Sequence, residues 1–537
     1  MNLHKFTYMN NTIKIVLLST VVLLGACQSR ELNTKVSHAT GWNYFDQKTT
    51  NFQAYEGIGT GVPTGMIPIE GGTFTIGEKD EFLTAPRNNP TRTLTVSSFY
   101  MDKYEITNLD WNEYVQWMTV VFGGTKEGAG LINKVLPDTT VWREEMAYNE
   151  PYLEYYFRHP AYSFYPVVGV SWTQAMAYCQ WRTDRVNELA LIKAGVLAYP
   201  PFGDLAPTDD EAYKDEWEQM YPGYFMDAVD MPDPNEPDNT ITMYRPSYQW
   251  IRDKFVFNTA KYLYVPEYMP EVGRKPRLDT YDEIRKATTS DGILVVGYRL
   301  PTEAEWEFAA YAPIAGEDGL TIEGKVYPWS GYHPRDLSKK NIGKLQANFV
   351  RGRGDMMGVS GALNDGYVIT APVDAYLPND FGLYNMAGNV NEWVMDVYRE
   401  TSYQETSEYN SYRGNIYTRP LRENGKCVID SVGCVTLTYA NEDDKRDFKD
   451  GDFGSQLKTD YPLDTVGLEE GSFKTDPTDI LVPRMDKNVR VYKGGSWRDR
   501  IYWLSPSARR YLNQDKSSNT IGFRCAMSMV GDNMNKK

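Results

Sequence analysis

The sequence predicts an α+β fold of short strands and helices joined by many turns. Three observations indicate this class: a composition with 43 glycines, 30 prolines and 40 tyrosines, alternating apolar residues that change to helical spacing after Asn108, and a capped helix after Thr302. Glycine and proline in these numbers favour turns over long helices. The 537 residues, 41% of them hydrophobic, are enough to bury a large core.

The charge of the chain argues against one class of partner. It has 72 acidic and 56 basic residues, which gives a formal net charge of -16. Nucleic acids are bound through basic surfaces that neutralise phosphates. We therefore expect no nucleic-acid partner.

Residues 1–26 have the layout of a lipoprotein signal peptide. Lys5 and Lys14 come before an apolar run from Ile15 to Leu24, which is too short to cross a bilayer as a helix. Two small residues then precede Cys27. The alternative is an ordinary secretory signal with a chance cysteine at this position.

The resemblance to bacterial lipoprotein signals implies that Cys27 is acylated, with palmitate among its chains, and becomes the first mature residue. Gln28, and not an aspartate, follows it, which favours the outer membrane, with the protein on the periplasmic face. Residues 27–65 are then the lipid anchor and a polar tether. We place the globular domain at residues 66–530 and a polar tail at 531–537.

The first strands and helices of the domain can be predicted from spacing. Apolar and polar residues alternate from Met66 to Asp102, as in strands, and helical spacing begins after Asn108. A second helix is predicted where four residues fall at i, i+3, i+4 and i+7 on one face. These are Trp172, Ala175, Met176 and Cys179, so Cys179 is predicted to lie in the core.

A third helix is predicted from a capping box, in which the Thr302 hydroxyl and the Glu305 side chain each satisfy a backbone N–H. Trp306, Ala309 and Ala310 should then face inward. Further along, residues 379–396 combine turn residues with carboxamides and a carboxylate at short spacing. Oxygen ligands clustered in this way suit calcium.

Nine motifs occur in the order in which the formylglycine-generating enzymes, or sulfatase-modifying factors, carry them, and the chain resembles this family from Met66 to Met527. The motifs are GGTFTIG, YEITN, PVVGVSW with AYCQW, RLPTEAEWEFAA, YPW, APVDAY, GLYNMAGNVNEWV, GGSW and GFRCA. The resemblance implies a fold with little regular secondary structure that is related to C-type lectin domains.

The resemblance also implies two structural calcium sites. The first would use the side chains of Asn348 and Asp365 and the carbonyls of Phe349 and Tyr367. The second would use four residues of the GLYNMAGNVNEWV motif, by side chain or carbonyl: Asn385, Gly388, Val390 and Glu392. The alternative is that these asparagines and acids only cap turns.

The two cysteines that the resemblance would imply for catalysis are missing from this sequence. Active members carry two cysteines shortly after the GGSW turn, which bind copper and oxidise a sulfatase cysteine. Asp499 stands at the first of these positions, and no cysteine occurs from Gly494 to Arg524. Cys525 occupies a position that the family uses structurally. We therefore expect a pseudoenzyme without copper.

Histidine chemistry is not expected either. The four histidines, at positions 4, 38, 159 and 333, form no cluster with metal-ligand spacing.

Two insertions interrupt the motifs, at about residues 188–297 and 399–488. The first is rich in tyrosine, proline and acids, and we expect it to pack on the parent fold or on a partner; the alternative is a disordered acidic loop. The second contains Cys427 and Cys434, which we interpret as a candidate disulfide or two free thiols in preference to a zinc site.

The lipoprotein signal, the missing cysteines and the long insertions together resemble the gliding-motility lipoproteins of Bacteroidetes. This resemblance implies a non-catalytic assembly component of the gliding machinery and the type IX secretion system, with the ring lipoproteins GldK and GldN as partners. Two alternatives remain: a cryptic metal-dependent oxidase, and a calcium-dependent glycan-binding surface lipoprotein.

Overall fold

The computed structural model of the protein describes residues 62–77, 89, 91–200, 202–232, 239–259, 292–313, 325–350, 365–399, 408–414, 418–424, 426–428, 436–439 and 488–530. Cys27, Cys434 and most of the predicted tether lie outside these residues. Among the described helices, none has the length and apolar character needed to span a bilayer. The described residues other than Gly292 belong to one compact unit.

Four short strands open the domain, as the alternation in the sequence predicts. They are β1 (Met66–Ile69), β2 (Gly72–Ile76), β3 (Arg92–Val96) and β4 (Phe99–Asp102). β2 pairs with β3, and their buried residues alternate with more exposed ones. β4 lies between β1 and β15 (Ala526–Ser528), so the two ends of the domain meet in one antiparallel sheet.

A four-stranded sheet carries the motifs of greatest interest. Its order is β13–β12–β7–β14, and its strands are β7 (Asn391–Val397), β12 (Val489–Lys493), β13 (Arg510–Asn513) and β14 (Ile521–Gly522). β14 runs parallel to β7, and β12 runs antiparallel to it. The sheet therefore brings the strand that begins within GNVNEW beside the strand that leads into GGSW.

The helices follow the predicted caps. Their bounds are α1 (Asn108–Phe122), α2 (Lys126–Val135), α3 (Glu150–Tyr155), α4 (Trp172–Lys193), α5 (Glu211–Met220), α6 (Tyr248–Trp250) and α7 (Glu303–Tyr311). The capping box of Thr302 and Glu305 is confirmed, and α1 begins at Asn108 as predicted. With these helices and sheets, the predicted α+β class is confirmed.

Tryptophans and the predicted inward-facing residues form the core. The side chains of Trp111, Trp306 and Trp393 are fully buried. Ala309 and Ala310 are buried beside Trp306, and Cys179 is buried in the cluster that contains Trp111. The inward orientation predicted for these helices is therefore confirmed.

The first insertion packs on the parent fold. It contains α5 and a hairpin of β5 (Met226–Pro232) and β6 (Thr240–Pro246), and Trp217 and Trp250 join the same core cluster as Trp111. Arg245 of β6 donates hydrogen bonds to carbonyls at the C-terminal end of α1, at 2.8 Å to Gly123 and 2.6 Å to Val120. These carbonyls have no partner within the helix itself, so Arg245 fixes the hairpin to α1.

The described part of the second insertion is tied to the parent fold by backbone hydrogen bonds. Thr95 of β3 bonds to Glu408 and Asn410, and Val397 of β7 bonds to Arg413. The insertion also forms short strand pairs: β8 (Thr418–Pro420) with β11 (Leu437–Tyr439), and β9 (Arg422–Glu423) with β10 (Lys426–Cys427). Because Cys434 is outside the described residues, the disulfide stays a prediction.

Candidate functional site

The GGSW turn follows β12 directly and needs both of its glycines. Gly494 and Gly495 have φ values of 102° and 71°, a region that residues with a Cβ rarely adopt. A Cβ on Gly495 would lie 2.8 Å from the carbonyl oxygen of Trp503. The turn therefore requires glycine at both positions. It places residue 499 at the end of the four-stranded sheet, beside Asn391 and Arg510.

Asp499, which the sequence predicts to stand in place of a catalytic cysteine, is held by hydrogen bonds from three sides. Arg510 donates to both carboxylate oxygens, at 2.7 and 2.6 Å. Ser496 donates from its backbone N–H at 2.9 Å and from its hydroxyl at 2.5 Å, and the Asn391 amide donates at 3.2 Å. The carboxylate therefore links the turn to the first residues of β7 and β13.

The electrostatics of Asp499 agree with this structural role. Burial alone would raise the pKa of its carboxyl, but the hydrogen bonds and charge of Arg510 outweigh burial and hold the pKa below its ordinary value. The group is thus ionised at neutral pH and paired. An ionised, fully paired carboxylate is neither a thiolate-like nucleophile nor a soft ligand for copper.

The surface beside the turn is covered by an aromatic segment. Trp497 stacks on Trp142 with ring centroids 6.1 Å apart, and Trp142 contacts Tyr152 and Tyr156. Arg498, the next residue along the chain, forms an ion pair with Glu144 of the same segment. The stretch from residue 142 to residue 156 therefore packs against the turn.

Two cysteines lie side by side in the core of the described part of the chain. Cys179 and Cys525 are both buried, with their sulfur atoms 3.5 Å apart. Burial and the neighbouring thiol raise the pKa of Cys525 well above its ordinary value. A reactive cysteine needs the opposite shift, toward thiolate at neutral pH.

The residues predicted for the second calcium site lie around one tight turn. Gly388 has a φ of 78°, and a Cβ there would lie 2.5 Å from the carbonyl oxygen of Asn348. The backbone N–H of Gly388 donates to the Gly494 carbonyl, and that of Asn389 donates to the Asn348 carbonyl, each at 2.9 Å. The structure thus brings this turn, the Asn348 segment of the first predicted site and the GGSW turn together.

Within the second site, the predicted side chains differ in their availability. The Asn385 side-chain oxygen is buried and has no hydrogen-bond partner among the described residues. Glu392 is already engaged: Arg524 donates to both of its oxygens, at 2.7 and 2.5 Å, and the Trp306 indole donates at 2.7 Å. Asn385 therefore fits a cation better than Glu392 does.

Sequence reasoning missed Glu105, which belongs to this site. Its carboxylate accepts hydrogen bonds from Asn385 at 3.0 Å and Asn389 at 2.8 Å through one oxygen. The other oxygen is buried without a partner among the described residues. Burial and the negative charge of Glu392 raise the pKa of Glu105 to about 8. The signal that could have found it is the single acid inside the YEITN motif.

The first predicted calcium site is partly assembled. Asn348 is buried and donates to the carbonyl of Ile369 at 2.8 Å, which ties its segment to residues 365–370. Asp365 accepts a hydrogen bond from the backbone N–H of Tyr367 at 3.2 Å, so the acid also caps its own turn. Phe349 is buried in a cluster with Ala387. Both predicted roles, ligand and turn cap, thus remain for Asp365.

Carboxylate, thiolate and imidazole metal centres are absent from the part of the chain that the structure describes. No group of three or more His, Cys, Asp or Glu side chains there could hold a metal ion. His159 and His333, the two described histidines, make separate local contacts. The predicted calcium sites depend mainly on asparagine and carbonyl oxygens, which are ligands of a different kind.

A buried charge network below the GGSW turn was not predicted. Lys493, the residue before Gly494, is fully buried and forms ion pairs with Glu303 at 3.1 Å and Glu307 at 2.7 Å. Burial alone would raise the pKa of Glu303, but Arg509 and Lys493 lower it to about 2. Glu307 lacks the second cation, and burial raises its pKa. The network links α7 to β12 and so supports the turn.

A cavity of about 700 Å³ lies between α1 and α4, with Glu105 in its lining. Its lining includes Arg182, which forms an ion pair with Asp102 at 2.7 Å and stacks on Tyr298 at 4.2 Å. None of the described residues of the GGSW turn lines it. The cavity is therefore separate from the position of Asp499.

Comparisons with known proteins place these features in one family. Residues 56–529 match the sequence model described as "Sulfatase-modifying factor enzyme 1-like domain". The chain is 24% identical to the formylglycine-generating enzyme of Mus musculus over 354 residues, which is 62% of this chain and 58% of that enzyme. The match thus spans little more than half of the mouse enzyme.

Inactive proteins are also among the relatives. The chain is 35% identical over 136 residues to "Inactive C-alpha-formylglycine-generating enzyme 2" of Bos taurus, covering 23% of this chain and 38% of that protein. Among solved structures, PvdO of Pseudomonas aeruginosa matches with 17% identity and a TM-score of 0.36, covering 86% of this chain and 94% of that one. The relatives therefore include both active and inactive proteins.

Proposed function

Because the chain belongs to the sulfatase-modifying factor enzyme 1-like family, we propose that it keeps the fold of that family and has lost its reaction. The observation that carries this proposal is the ion pair of Asp499 with Arg510, at 2.6 Å, in the place of a catalytic cysteine. Oxidation of a substrate cysteine requires thiolates that bind copper, and residues 494–524 contain no cysteine.

The proposed cellular role rests on the resemblance of the sequence to gliding-motility lipoproteins. We propose a lipoprotein anchored through acylated Cys27 to the periplasmic face of the outer membrane. There it would serve as a structural component of the gliding-motility and type IX secretion machinery. The resemblance among lipoproteins of that machinery is to GldJ, and the proposed partners are the ring lipoproteins GldK and GldN. A rigid domain that displays long insertions on its surface is better suited to binding other proteins in an assembly than to catalysis.

Calcium, in this proposal, has a structural role. Asn385 and the carbonyls of Gly388 and Val390, with Glu105 added to the predicted set, would hold one ion. Asn348, Asp365 and the carbonyls of Phe349 and Tyr367 would hold the other. A hard divalent cation supplies charge to buried oxygens that otherwise lack partners. The unpartnered oxygens of Glu105 and Asn385 support the second predicted site, at Asn385.

Purification of the full-length lipoprotein from membranes after mild crosslinking tests the proposal. We expect ring lipoproteins to be enriched over a control lipoprotein with the same signal peptide, and elemental analysis to find calcium without copper or iron. Bound copper or iron together with no enriched protein would contradict the scaffold function and favour the oxidase alternative. Enrichment of glycans that a chelator releases would favour the glycan-binding alternative.

A further inference from the structure

Residues 334–346 form a hairpin-like loop that exposes two aliphatic side chains at its end. Leu337 is 70% exposed and Ile342 is 71% exposed. They lie opposite each other, because backbone hydrogen bonds cross the loop on both sides of them. These bonds run from the N–H of Asn341 to the carbonyl of Ser338, at 3.2 Å, and from Gly343 to Asp336, at 2.9 Å. We call residues 337–342 the loop tip.

Lysines lie beside these aliphatic side chains. Lys339 and Lys340 are exposed and are the two central residues of the turn that the inner hydrogen bond closes. Lys344, also exposed, follows the outer bond directly. Asp336, the one acid of the loop, is turned toward its own backbone, because its carboxylate accepts a hydrogen bond from the N–H of Ser338 at 2.7 Å. The loop tip is therefore cationic, although the chain has a net charge of -16.

The base of the loop is fixed to the core. Arg335 and Leu345 form an antiparallel bridge, and Leu345 is buried in the cluster that contains Phe349. The backbone N–H of Gln346 donates to the carbonyl of Pro334 at 2.9 Å. A surface that is ordered before binding loses less entropy when it docks. The loop tip is therefore held ready for a contact.

We propose that the loop tip is a contact site for a membrane surface that contains anionic phospholipids. Leu337 and Ile342 would enter the boundary between the headgroups and the acyl chains. Lys339, Lys340 and Lys344 would pair with the lipid phosphates. The inference rests on the proposed lipid anchor, which keeps the domain near a membrane, and adds the part of the domain that contacts it.

The chemistry of the loop tip favours a lipid surface over a protein partner. The centres of protein interfaces are enriched in aromatic residues and arginine and depleted in lysine. The loop tip has the opposite composition, with two aliphatic residues, two lysines and no aromatic ring. Apolar side chains combined with lysines are typical of segments that lie in the membrane interface.

Photocrosslinking of the full-length protein tests this inference. The amino acid p-benzoylphenylalanine, which reacts with C–H bonds on irradiation, replaces Leu337 or Ile342 in two versions. In a third version it replaces Tyr199, which is 76% exposed and lies in the first insertion. Each protein is mixed with phosphatidylcholine vesicles that either contain or lack phosphatidylglycerol, and mass spectrometry identifies the products. We expect residues 337 and 342 to capture phospholipid, most strongly with phosphatidylglycerol present, and residue 199 to capture far less.

Charge reversal supplies the matched comparison. K339E/K340E should lower the lipid crosslinking at residue 337 about tenfold or more, because each lysine beside an anionic surface favours binding about fivefold. K134E/K516E reverses the charge of two exposed lysines elsewhere and should leave the yield unchanged. Thermal unfolding of each variant confirms that it is folded.

The inference is overturned if residues 337 and 342 capture no more phospholipid than residue 199 does. It is also overturned if the yield is the same without phosphatidylglycerol, or if K339E/K340E leaves the yield unchanged. In native membranes, capture of a protein in place of lipid at residue 337 would likewise reject it. The scaffold function is judged by a different result, the enrichment of ring lipoproteins, so either proposal can fail while the other stands.

Discussion

Arg510 binds both carboxylate oxygens of Asp499, at 2.7 and 2.6 Å, and so joins the first residue of β13 to the GGSW turn. The same turn accepts a backbone hydrogen bond from Val350 at the Asp499 carbonyl. Residue 499, predicted to have lost a catalytic cysteine, here connects three segments. These contacts indicate a structural role for Asp499, so its replacement should lower the free energy of unfolding.

Asp499→Ala should lower the free energy of unfolding by about 3 kcal/mol, because it leaves the Arg510 guanidinium without its main partner. Urea denaturation at pH 7 measures the change. Asp515→Ala, at an exposed position, is the control and should change stability by less than about 0.5 kcal/mol. Equal stability of D499A and the unmodified protein would contradict the structural role.

The stabilisation by Asp499 should also depend on pH. Its pKa is lower in the folded protein than the value of about 3.9 for an unfolded chain. The contribution is therefore fully present above that unfolded value and is lost as the pH falls through the lower folded pKa. In urea titrations, the difference between D499A and the unmodified protein should shrink below about pH 4; a difference that grows there would contradict this account.

Calcium should stabilise the fold. At a free calcium concentration ten to one hundred times the dissociation constant, the gain is about 1.4 to 2.7 kcal/mol per site. We expect a chelator to lower the melting temperature of the full-length protein, and N385A to remove part of this response. N133A, at an exposed position of α2, is the control. A melting temperature that is the same with calcium and with chelator would contradict calcium binding and indicate that the predicted ligands only cap turns.

Lys493→Met should be severe, because it leaves the buried carboxylates of Glu303 and Glu307 without a shared cation. Breaking a buried ion pair in this way costs about 3 to 5 kcal/mol. Glu303 keeps Arg509, so the double variant E307Q/K493M, which removes the charge of Glu307, should recover part of the loss in denaturant titrations. K516M, at an exposed position, should have little effect. A K493M protein as stable as its parent would exclude a stabilising role for the network.

Arg245→Ala should loosen the first insertion while the rest of the fold stays intact. The arginine donates to three carbonyls at the end of α1: those of Val120, Val121 and Gly123. Limited proteolysis should therefore cut within residues 202–259 sooner than in the unmodified protein. K254A, which removes an exposed cation nearby, should digest at the original rate. Unchanged digestion of R245A would show that the core tryptophans alone hold the insertion.

Local features of the fold could be predicted from the sequence because they depend on neighbouring residues. The cap of Thr302 with Glu305, the start of α1 at Asn108 and the inward face of α4 each follow from spacing within a few residues. The α+β class follows from the same short elements. Paired strands far apart in sequence, such as β4 with β15, have no comparable local signal.

The site could be predicted only where single residues carry the information. The absence of cysteine after GGSW is visible in the sequence, but the pairing of Asp499 with Arg510 depends on how β13 returns to the turn. Glu105 was missed because it lies 280 positions before Asn385. The Lys493 network was missed for the same reason, since α7 and β12 are distant in sequence and meet only in the folded chain.

The central claim is that this member of the family does not oxidise cysteine. The most direct test incubates the purified full-length protein with copper(I), oxygen and a peptide that carries a sulfatase cysteine motif, beside an active formylglycine-generating enzyme as control. Mass spectrometry follows the peptide. We expect the active enzyme to convert the cysteine to formylglycine and this protein to leave it unchanged; conversion by this protein above the level of copper alone would contradict the account.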